Sequence, residues 1–348
     1  MGIDWQDGLL ALGGAGGGVV IWALGPQHLQ AARALQPEPL EPDLLLDTQL
    51  HRGWVSGVQL WRPEGTEDRF LLSSANDGVL GLWNLRRRLA DARGDEGQAS
   101  PGERPLAVGR APGDAHGGSG IFSLHASAEG RVLTGGKDGG VALSRIGPAG
   151  ICQVERRIED AHGGRVIKSV RWAGDAKLFA SSGDDGAIRV WDERSPQTAL
   201  ESQLTAGVNL LRWQETGGDA SLLAGTCQDL VTRVLDLRRP DHPLASFAEP
   251  RSGRAGRLSP IFQASWVPHS RRLVTASEAS GGLTVFDAGL ENAPASWVRR
   301  TALEDARVGA LMQTDMDGAL PSPVLFVSGS KTVYVYSGGH NGDGSSDL

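Results

Sequence analysis

The stretch LFASSGDDGAIRVWDER, residues 178–194, is a hairpin spelled out in turn chemistry. Leu178-Phe179-Ala180-Ser181 is short and mostly apolar. Asp184-Asp185-Gly186 follows, where Asp tolerates left-handed backbone and Gly has no Cβ to clash. Ala187-Ile188-Arg189-Val190-Trp191 then alternates at the strand period of two. The local reading is strand, tight turn, strand. A lone hairpin of this size is not stable in water, so the rest of the chain must supply neighbours.

It supplies six. Residues 9–24, 70–86, 131–146, 222–238, 272–288 and 324–337 each read as a strand, a Gly/Ser/Asp turn and a β-branched strand. The landmark at the end of the second strand falls at Trp22, Trp83, Ser144, Trp191, Leu235, Phe286 and Tyr336. Successive gaps are 61, 61, 47, 44, 51 and 50 residues. Periods of roughly 40 to 45 residues point to a four-stranded propeller blade, and the longer gaps require insertions. A further strand precedes most hairpins, as in Val58-Gln59-Leu60-Trp61, Ser169-Val170-Arg171-Trp172, Leu210-Leu211-Arg212-Trp213 and Ala264-Ser265-Trp266. A fourth follows, as in Leu44-Leu45-Leu46-Asp47, Gln153-Val154-Glu155-Arg156 and Ser296-Trp297-Val298-Arg299. The expectation is an all-β, seven-bladed propeller of four-stranded antiparallel blades, which leaves only short sheet edges.

Two units carry a joint set of His, Ser, Asp and Trp: His51, Ser73, Asp77, Trp83, and His162, Ser181, Asp185, Trp191. A third keeps His116, Thr134 and Asp138 but has Ser144 for Trp, and the fifth keeps Asp229 with Leu235 at the Trp position. With these residues the chain resembles the WD40 repeat family over nearly its whole length. The resemblance implies that each set is a hydrogen-bonded chain inside one blade. A buried indole N–H and imidazole need such partners. His beside Ser and Asp also invites a catalytic-triad reading, but recurrence from blade to blade fits architecture.

As one propeller the domain would run over residues 1–337. Residues 25–43 and 87–115, rich in Pro, Gly and charge, read as surface-loop insertions between third and fourth strands, and 338–348 as a disordered tail. Ile3-Asp4-Trp5-Gln6-Asp7-Gly8 reads as a shortened innermost strand of the first blade, and nothing after Tyr336 reads as an outer strand of the seventh. The closing blade is therefore expected to be incomplete, either because the chain is N-terminally shortened or because that blade has three strands.

Composition narrows the function. The net charge is −7, which argues against a broad nucleic-acid-binding face. Two cysteines, Cys152 and Cys227, give neither a disulfide framework nor metal spacing, which fits a cytosolic or nuclear protein. There is no run of apolar residues long enough to span a membrane. The Gly-rich run at 13–18 lacks the Lys-Ser/Thr of a phosphate loop and reads as a hairpin turn. Neither catalytic residues, a metal site nor a cofactor is expected.

Binding to proteins or peptides is the function the resemblance implies, with a scaffold role in a larger complex. Matching repeats places Trp54, Ser56, Phe122, Lys168, Asn209, Phe262 and Arg307 on the rim bordered by the hairpin turns. Exposed Trp, Phe and Arg there are typical anchors; the alternative is that Trp54 and the phenylalanines pack between blades. Trp61, Trp172, Trp213 and Trp266 end inner strands and read as core. A second reading rests on Trp191-Asp192-Glu193-Arg194, similar to the ending that cullin-4 ligase substrate receptors use to dock on their adaptor, with looser versions ending at Arg238 and Arg86. It requires Arg194 and Arg238 to be exposed on the same face and without internal partners. Otherwise each arginine only pairs with an acidic neighbour at the blade edge.

Overall fold

The computed structural model describes residues 3–6, 8–23, 44–46, 51–63, 66, 68–85, 107–109, 115–147, 150–174, 177–195, 197–214, 221–248, 263–266, 271–277, 282–287, 297–302, 310–314, 324–328 and 333–337. They form seven antiparallel sheets, each a simple meander. The first has β1 (Ile3–Gln6), β2 (Leu9–Gly13), β3 (Val19–Ala23) and β4 (Leu44–Leu46). The second has β5 (Val55–Trp61), β6 (Phe70–Ala75), β7 (Leu80–Asn84) and β8 (Ala107–Gly109). The third has β9 (Ile121–Ala126), β10 (Arg131–Gly136), β11 (Val141–Gly147) and β12 (Gly150–Ile158). The fourth has β13 (Ile167–Trp172), β14 (Leu178–Gly183), β15 (Ala187–Asp192) and β16 (Thr198–Gln203).

The fifth sheet has β17 (Val208–Trp213), β18 (Leu222–Cys227), β19 (Val231–Asp236) and β20 (Ala245–Ala248). The sixth has β21 (Gln263–Trp266), β22 (Arg272–Ser277), β23 (Gly282–Asp287) and β24 (Trp297–Ala302). The seventh has three described strands, β25 (Ala310–Thr314), β26 (Val324–Ser328) and β27 (Val333–Ser337). Among the described residues the last sheet has three strands and β1 has four residues, which is compatible with the sequence reading.

One boundary needs correction. The insertion expected over 87–115 contains β8, which pairs Ala107 with Leu82 and Gly109 with Leu80. Without it the outer edge of β7 would present bare N–H and C=O groups, and three residues suffice to cover part of that edge. Ala115, the last residue of the same stretch, and His116 after it are buried in a turn. Residues 25–43 and 338–348 lie outside the described residues.

By contact the chain forms two compact units. One comprises Met1–Ala23, Leu40–Trp172 and Ala176–Asp185; the other comprises Leu24–Pro39, Ala173–Asp175 and Gly186–Leu348. In the first, apolar residues of successive sheets meet face to face. Leu9, Ala11, Val19 and Ile21 pack with Val55, Val58, Leu60 and Leu71. Leu72, Leu80 and Leu82 pack with Ile121, Leu124, Ala126 and Val132. In the second unit Leu222, Ala224, Val234 and Phe247 pack with Ala264, Trp266, Leu273 and Phe286, and the rings of Phe247 and Phe286 stack at 4.8 Å.

Sandwiching between sheets explains the composition of the second strands. β6, β10 and β14 are buried at every position but the first, on both faces. They read FLLSSA, RVLTGG and LFASSG because their second halves face a neighbouring sheet at close range. A Cβ on Gly135 would lie 2.5 Å from the Ile167 side chain. The outermost β16 instead alternates exposed and half-buried positions until Ser202, as a strand with one wet face should.

The innermost strands of the first unit are laced together by side chains. Asp4 Oδ2 on β1 accepts the Leu60 N–H of β5 at 2.6 Å. Gln59 acts as a peptide mimic, with Oε1 accepting the Ala126 N–H (2.6 Å) and Nε2 donating to the Ala126 carbonyl (2.8 Å). Ser123 Oγ accepts from Val170 N–H at 3.0 Å, and His125 Nδ1 accepts from Trp172 N–H at 3.0 Å. Strand edges that would otherwise be bare are thereby satisfied.

Candidate functional site

The His/Ser/Asp sets fix the loops around them. In the third sheet His116 Nε2 is 2.9 Å from Thr134 Oγ1 and Nδ1 is 3.0 Å from Asp138 Oδ1. Asp138 also accepts from Gly140 N–H at 3.1 Å and from Arg157 Nη2 at 3.0 Å. Burial works to raise the Asp138 pKa, but His116, the Gly140 amide and Arg157 together hold it below the ordinary carboxylate range. In the fourth sheet His162 Nε2 is 2.8 Å from Ser181 Oγ, and Nδ1 is 2.9 Å from both oxygens of Asp185. Trp191 is buried. In the second sheet Trp83 Nε1 donates to Ser73 Oγ (3.1 Å), which is 2.8 Å from His51 Nε2.

The second sheet departs from the expected chain at its last link. His51 Nδ1 is 3.8 Å from Asp77 Oδ1 and has no hydrogen-bond partner. Asp77 is occupied by backbone: Oδ2 accepts Arg52 N–H at 2.7 Å and Oδ1 accepts Val79 N–H at 3.0 Å. Burial pushes the His51 imidazole below its ordinary pKa, and Asp77 offsets this only in part. These buried sets orient loops and leave no reactive hydroxyl in the open.

The rim candidates share a backbone feature that their residue types did not announce. The pairing of β5 with β6 runs from Val55↔Ala75 to Gly57↔Ser74, so Ser56 is an extra residue on the inner strand. The same shift makes Phe122, Lys168 and Asn209 the extra residues of β9, β13 and β17. Four of the expected rim residues are thus the bulged position of four innermost strands. A β-bulge re-aims a side chain out of the alternation of its strand.

In the first unit these side chains meet across three sheets. Ser56 Oγ donates to the Ile121 carbonyl at 2.7 Å. Trp54 lies edge-on to Phe122, with ring centroids 5.2 Å apart and planes at 86°. Lys168 Nζ sits 5.1 Å from the Phe122 ring centroid and 3.5 Å from Asp184 Oδ2. Trp54, Phe122 and Lys168 are all half-buried, so they both pack between sheets and reach solvent. In the second unit Asn209 Oδ1 accepts from Gln228 Nε2 at 3.4 Å. Phe262 and Arg307 lie outside the described residues, as does Arg86.

The first residues of the hairpin turns were missed by sequence reasoning, although they border the bulges. Asn76, Lys137, Asp184 and Gln228 donate their N–H groups to the carbonyls of Trp54, Gly120, Val166 and Gly207, each two residues before a bulge. The signal was available as the residue preceding Asp in each turn. The turn glycines explain how the next loop comes so close. Gly78 and Gly139 have φ of 81° and 78°, and a Cβ there would lie 2.8 Å from Ser119 O and from Gly164 Cα.

The inner-strand tryptophans are clasps. Trp61 Nε1 donates to Ala128 O, Trp172 Nε1 to Arg131 O and Trp266 Nε1 to Arg212 O, at 3.1, 3.2 and 2.9 Å. Arg194 and Arg238 fail the requirement of the adaptor-docking reading. Both are exposed, but Arg194 forks onto Asp192 (Nε 3.0 Å, Nη2 2.7 Å) and Arg238 onto Asp236 (2.9 and 2.7 Å). The cause is local: a two-residue spacing at the end of a strand brings the fork to its own carboxylate.

Cys227 is buried, and desolvation pushes its thiol up to about 11 despite Arg233 nearby, so it is no nucleophile in the folded chain. Among the described residues no group of three or more His, Cys, Asp or Glu is placed to hold a metal ion. No helix among them is long and apolar enough to cross a membrane.

Comparison with known proteins agrees with this architecture. Residues 154–192 match the family described as WD domain, G-beta repeat. A probable cytosolic iron-sulfur protein assembly protein 1 from Yarrowia lipolytica is 28% identical over 148 residues, covering 41% of this chain and 43% of that protein. Protein HIRA from Dictyostelium discoideum is 33% identical over 97 residues, covering 25% of this chain and 9% of that protein. The matched stretch spans less than half the length of either relative. A chain of the Crystal Structure of Mitotic Checkpoint Complex superposes with a TM-score of 0.64 at 13% identity, covering 97% of this chain and 88% of that one. These matches establish a WD40 repeat in the chain and the β-propeller as its fold.

Proposed function

We propose that this chain is a non-catalytic scaffold that binds other proteins, and that partners dock on the rim of bulged residues around Trp54, Phe122 and Lys168. The observation that carries this reading is the recurrence of the bulge at Ser56, Phe122, Lys168 and Asn209. Regular strands bury alternate side chains against the neighbouring sheet. A bulge at one place in four inner strands leaves four side chains half-buried and partly open to solvent. Two of them and Trp54 form an aromatic and cationic cluster of the kind that anchors interfaces.

The relatives support a role beside other proteins, one being named for the assembly of cytosolic iron-sulfur proteins. That name also supports placement in the cytosol, with the nucleus as the other compartment compatible with the thiol content. No cofactor is required by the reading, and the net charge of −7 disfavours nucleic acid as a partner.

The test is affinity capture from a cell extract with the intact chain beside Trp54→Ala/Phe122→Ala. Partners held by the intact chain and lost by the double variant, with an unchanged fold by circular dichroism, support the rim. Partners retained by the double variant overturn it. Adding Arg194→Ala/Arg238→Ala separates the adaptor alternative. That reading needs a cullin-4 adaptor held by the intact chain and lost here, whereas the pairing to Asp192 and Asp236 points to no change.

A further inference from the structure

We infer that the segment recognised at this rim is an acidic peptide with a central apolar or aromatic residue. The inference rests on the rim being the docking surface, and it names the chemistry of the partner.

The charges around Trp54 and Phe122 are unevenly committed. The carboxylates at the turns point inward: Asp77 holds the Arg52 and Val79 amides, Asp138 holds His116 and Arg157, and Asp185 holds His162. Asp184 is matched to Lys168. The cations are not so engaged. Arg52, two residues before Trp54, is exposed, and so is Lys137, whose N–H is bound to the Gly120 carbonyl two residues before Phe122. Arg165 is exposed beside the third-sheet turn, its carbonyl 3.0 Å from where a Cβ on Gly139 would stand. None of the three forms an ion pair with a described carboxylate. Among the described residues the other acidic neighbours are Glu159 and Asp160, both exposed in the turn after β12 that leads to Arg165, with Glu159 4.0 Å from Arg157.

The outcome is a cationic ring segment, Arg52, Lys137 and Arg165, around two half-buried aromatics, on a chain whose overall charge is negative. Fields of that sign attract and orient anionic segments while the rest of the surface repels them. An acidic peptide alone would be held only by exposed charge, which is weak. An apolar residue between the acidic ones adds burial against Trp54 and Phe122.

Selection of random linear peptides displayed on phage against the full chain tests this, with a Trp54→Ala chain as the parallel target. The expected result is enrichment of peptides with net negative charge flanking an aromatic or aliphatic residue. A synthesised winner should weaken by at least about tenfold on Arg52→Gln/Lys137→Gln/Arg165→Gln and on raising the salt concentration. These three side chains are exposed, so the variant should melt as the parent does. Should the triple variant unfold, the three single variants carry the same readout. Enrichment of neutral or basic peptides that depend on Trp54 would overturn the acidic chemistry and leave the rim standing. Acidic peptides indifferent to the three substitutions, or no enrichment over the Trp54→Ala chain, would overturn the inference as well.

Discussion

His51 Nδ1 stops 3.8 Å short of Asp77 Oδ1, whereas the same atom lies 3.0 Å from Asp138 in His116 and 2.9 Å from Asp185 in His162. The fold therefore buries one imidazole without a partner for one nitrogen. Its pKa is lowered from 6.5, chiefly by burial. A base with a depressed folded-state pKa is protonated first in the unfolded chain. Its contribution is constant above pH 6.5 and is lost as pH falls from 6.5 toward the lowered value. Chemical denaturation of the intact chain should show stability declining on acidification through that window. His51→Gln should decline less steeply there. Identical slopes would show that His51 is not the group responsible.

Gln59 offers a sharper energetic test. Its amide satisfies both the N–H and the C=O of Ala126 on the next inner strand. Truncation leaves two backbone groups without partners at a part-buried site, so Gln59→Ala should cost about 1–3 kcal/mol in urea unfolding. A change below a few tenths would mean that water replaces the amide without loss.

Leu230 stands where other turns have glycine. Its φ is 65°, against 78° for Gly139 and 77° for Gly186, yet its side chain is buried. Left-handed backbone costs a non-glycine residue about 1–2 kcal/mol, and burying a leucine returns about 1.5–3 kcal/mol. Burial therefore prevails by a narrow margin. Leu230→Ala loses the burial and keeps the strain; Leu230→Gly loses the burial and releases the strain. The glycine variant should be the more stable of the two by about 1 kcal/mol, the reverse of the usual order in a strand or helix. Equal stabilities would show the turn relaxing out of the left-handed region.

Arg194 governs its own neighbour. Its side-chain and backbone hydrogen bonds lower the Asp192 pKa to about 2. A carboxylate titration followed by NMR should find that value in the intact chain and a rise part of the way toward the ordinary range in Arg194→Ala, which loses the guanidinium but keeps the backbone N–H on Asp192 Oδ1. Because Arg194 is exposed, the melting temperature should not move. An unchanged pKa in the variant would show that the backbone N–H, not the guanidinium, holds Asp192 down.

The hairpins were legible because each is local: a turn of Asp and Gly between two apolar runs is complete within one stretch such as 178–194. The short β1 and the three described strands of the last sheet were legible for the same reason. β8 was not, since Ala107-Val108-Gly109 carries no alternation and is a strand only because β7 needs an edge partner. The rim residues were placed by repeat matching, but the bulge that unites Ser56, Phe122, Lys168 and Asn209 is a property of register. Register depends on the partner strand. The contact of Trp54 with Phe122 joins residues far apart in sequence, beyond any local pattern. The gap at His51 was equally hidden, because its residues match the full set and differ only in where Asp77 spends its oxygens.

The central claim is that partners dock on the bulged rim. Amide hydrogen exchange on the full chain, free and bound to a partner recovered by capture, tests it most directly. The account predicts new protection concentrated in residues 52–56, 118–122 and 165–168, with little change in the outer strands β16 and β20. Protection confined to those outer strands, with the rim exchanging as in the free chain, would contradict it.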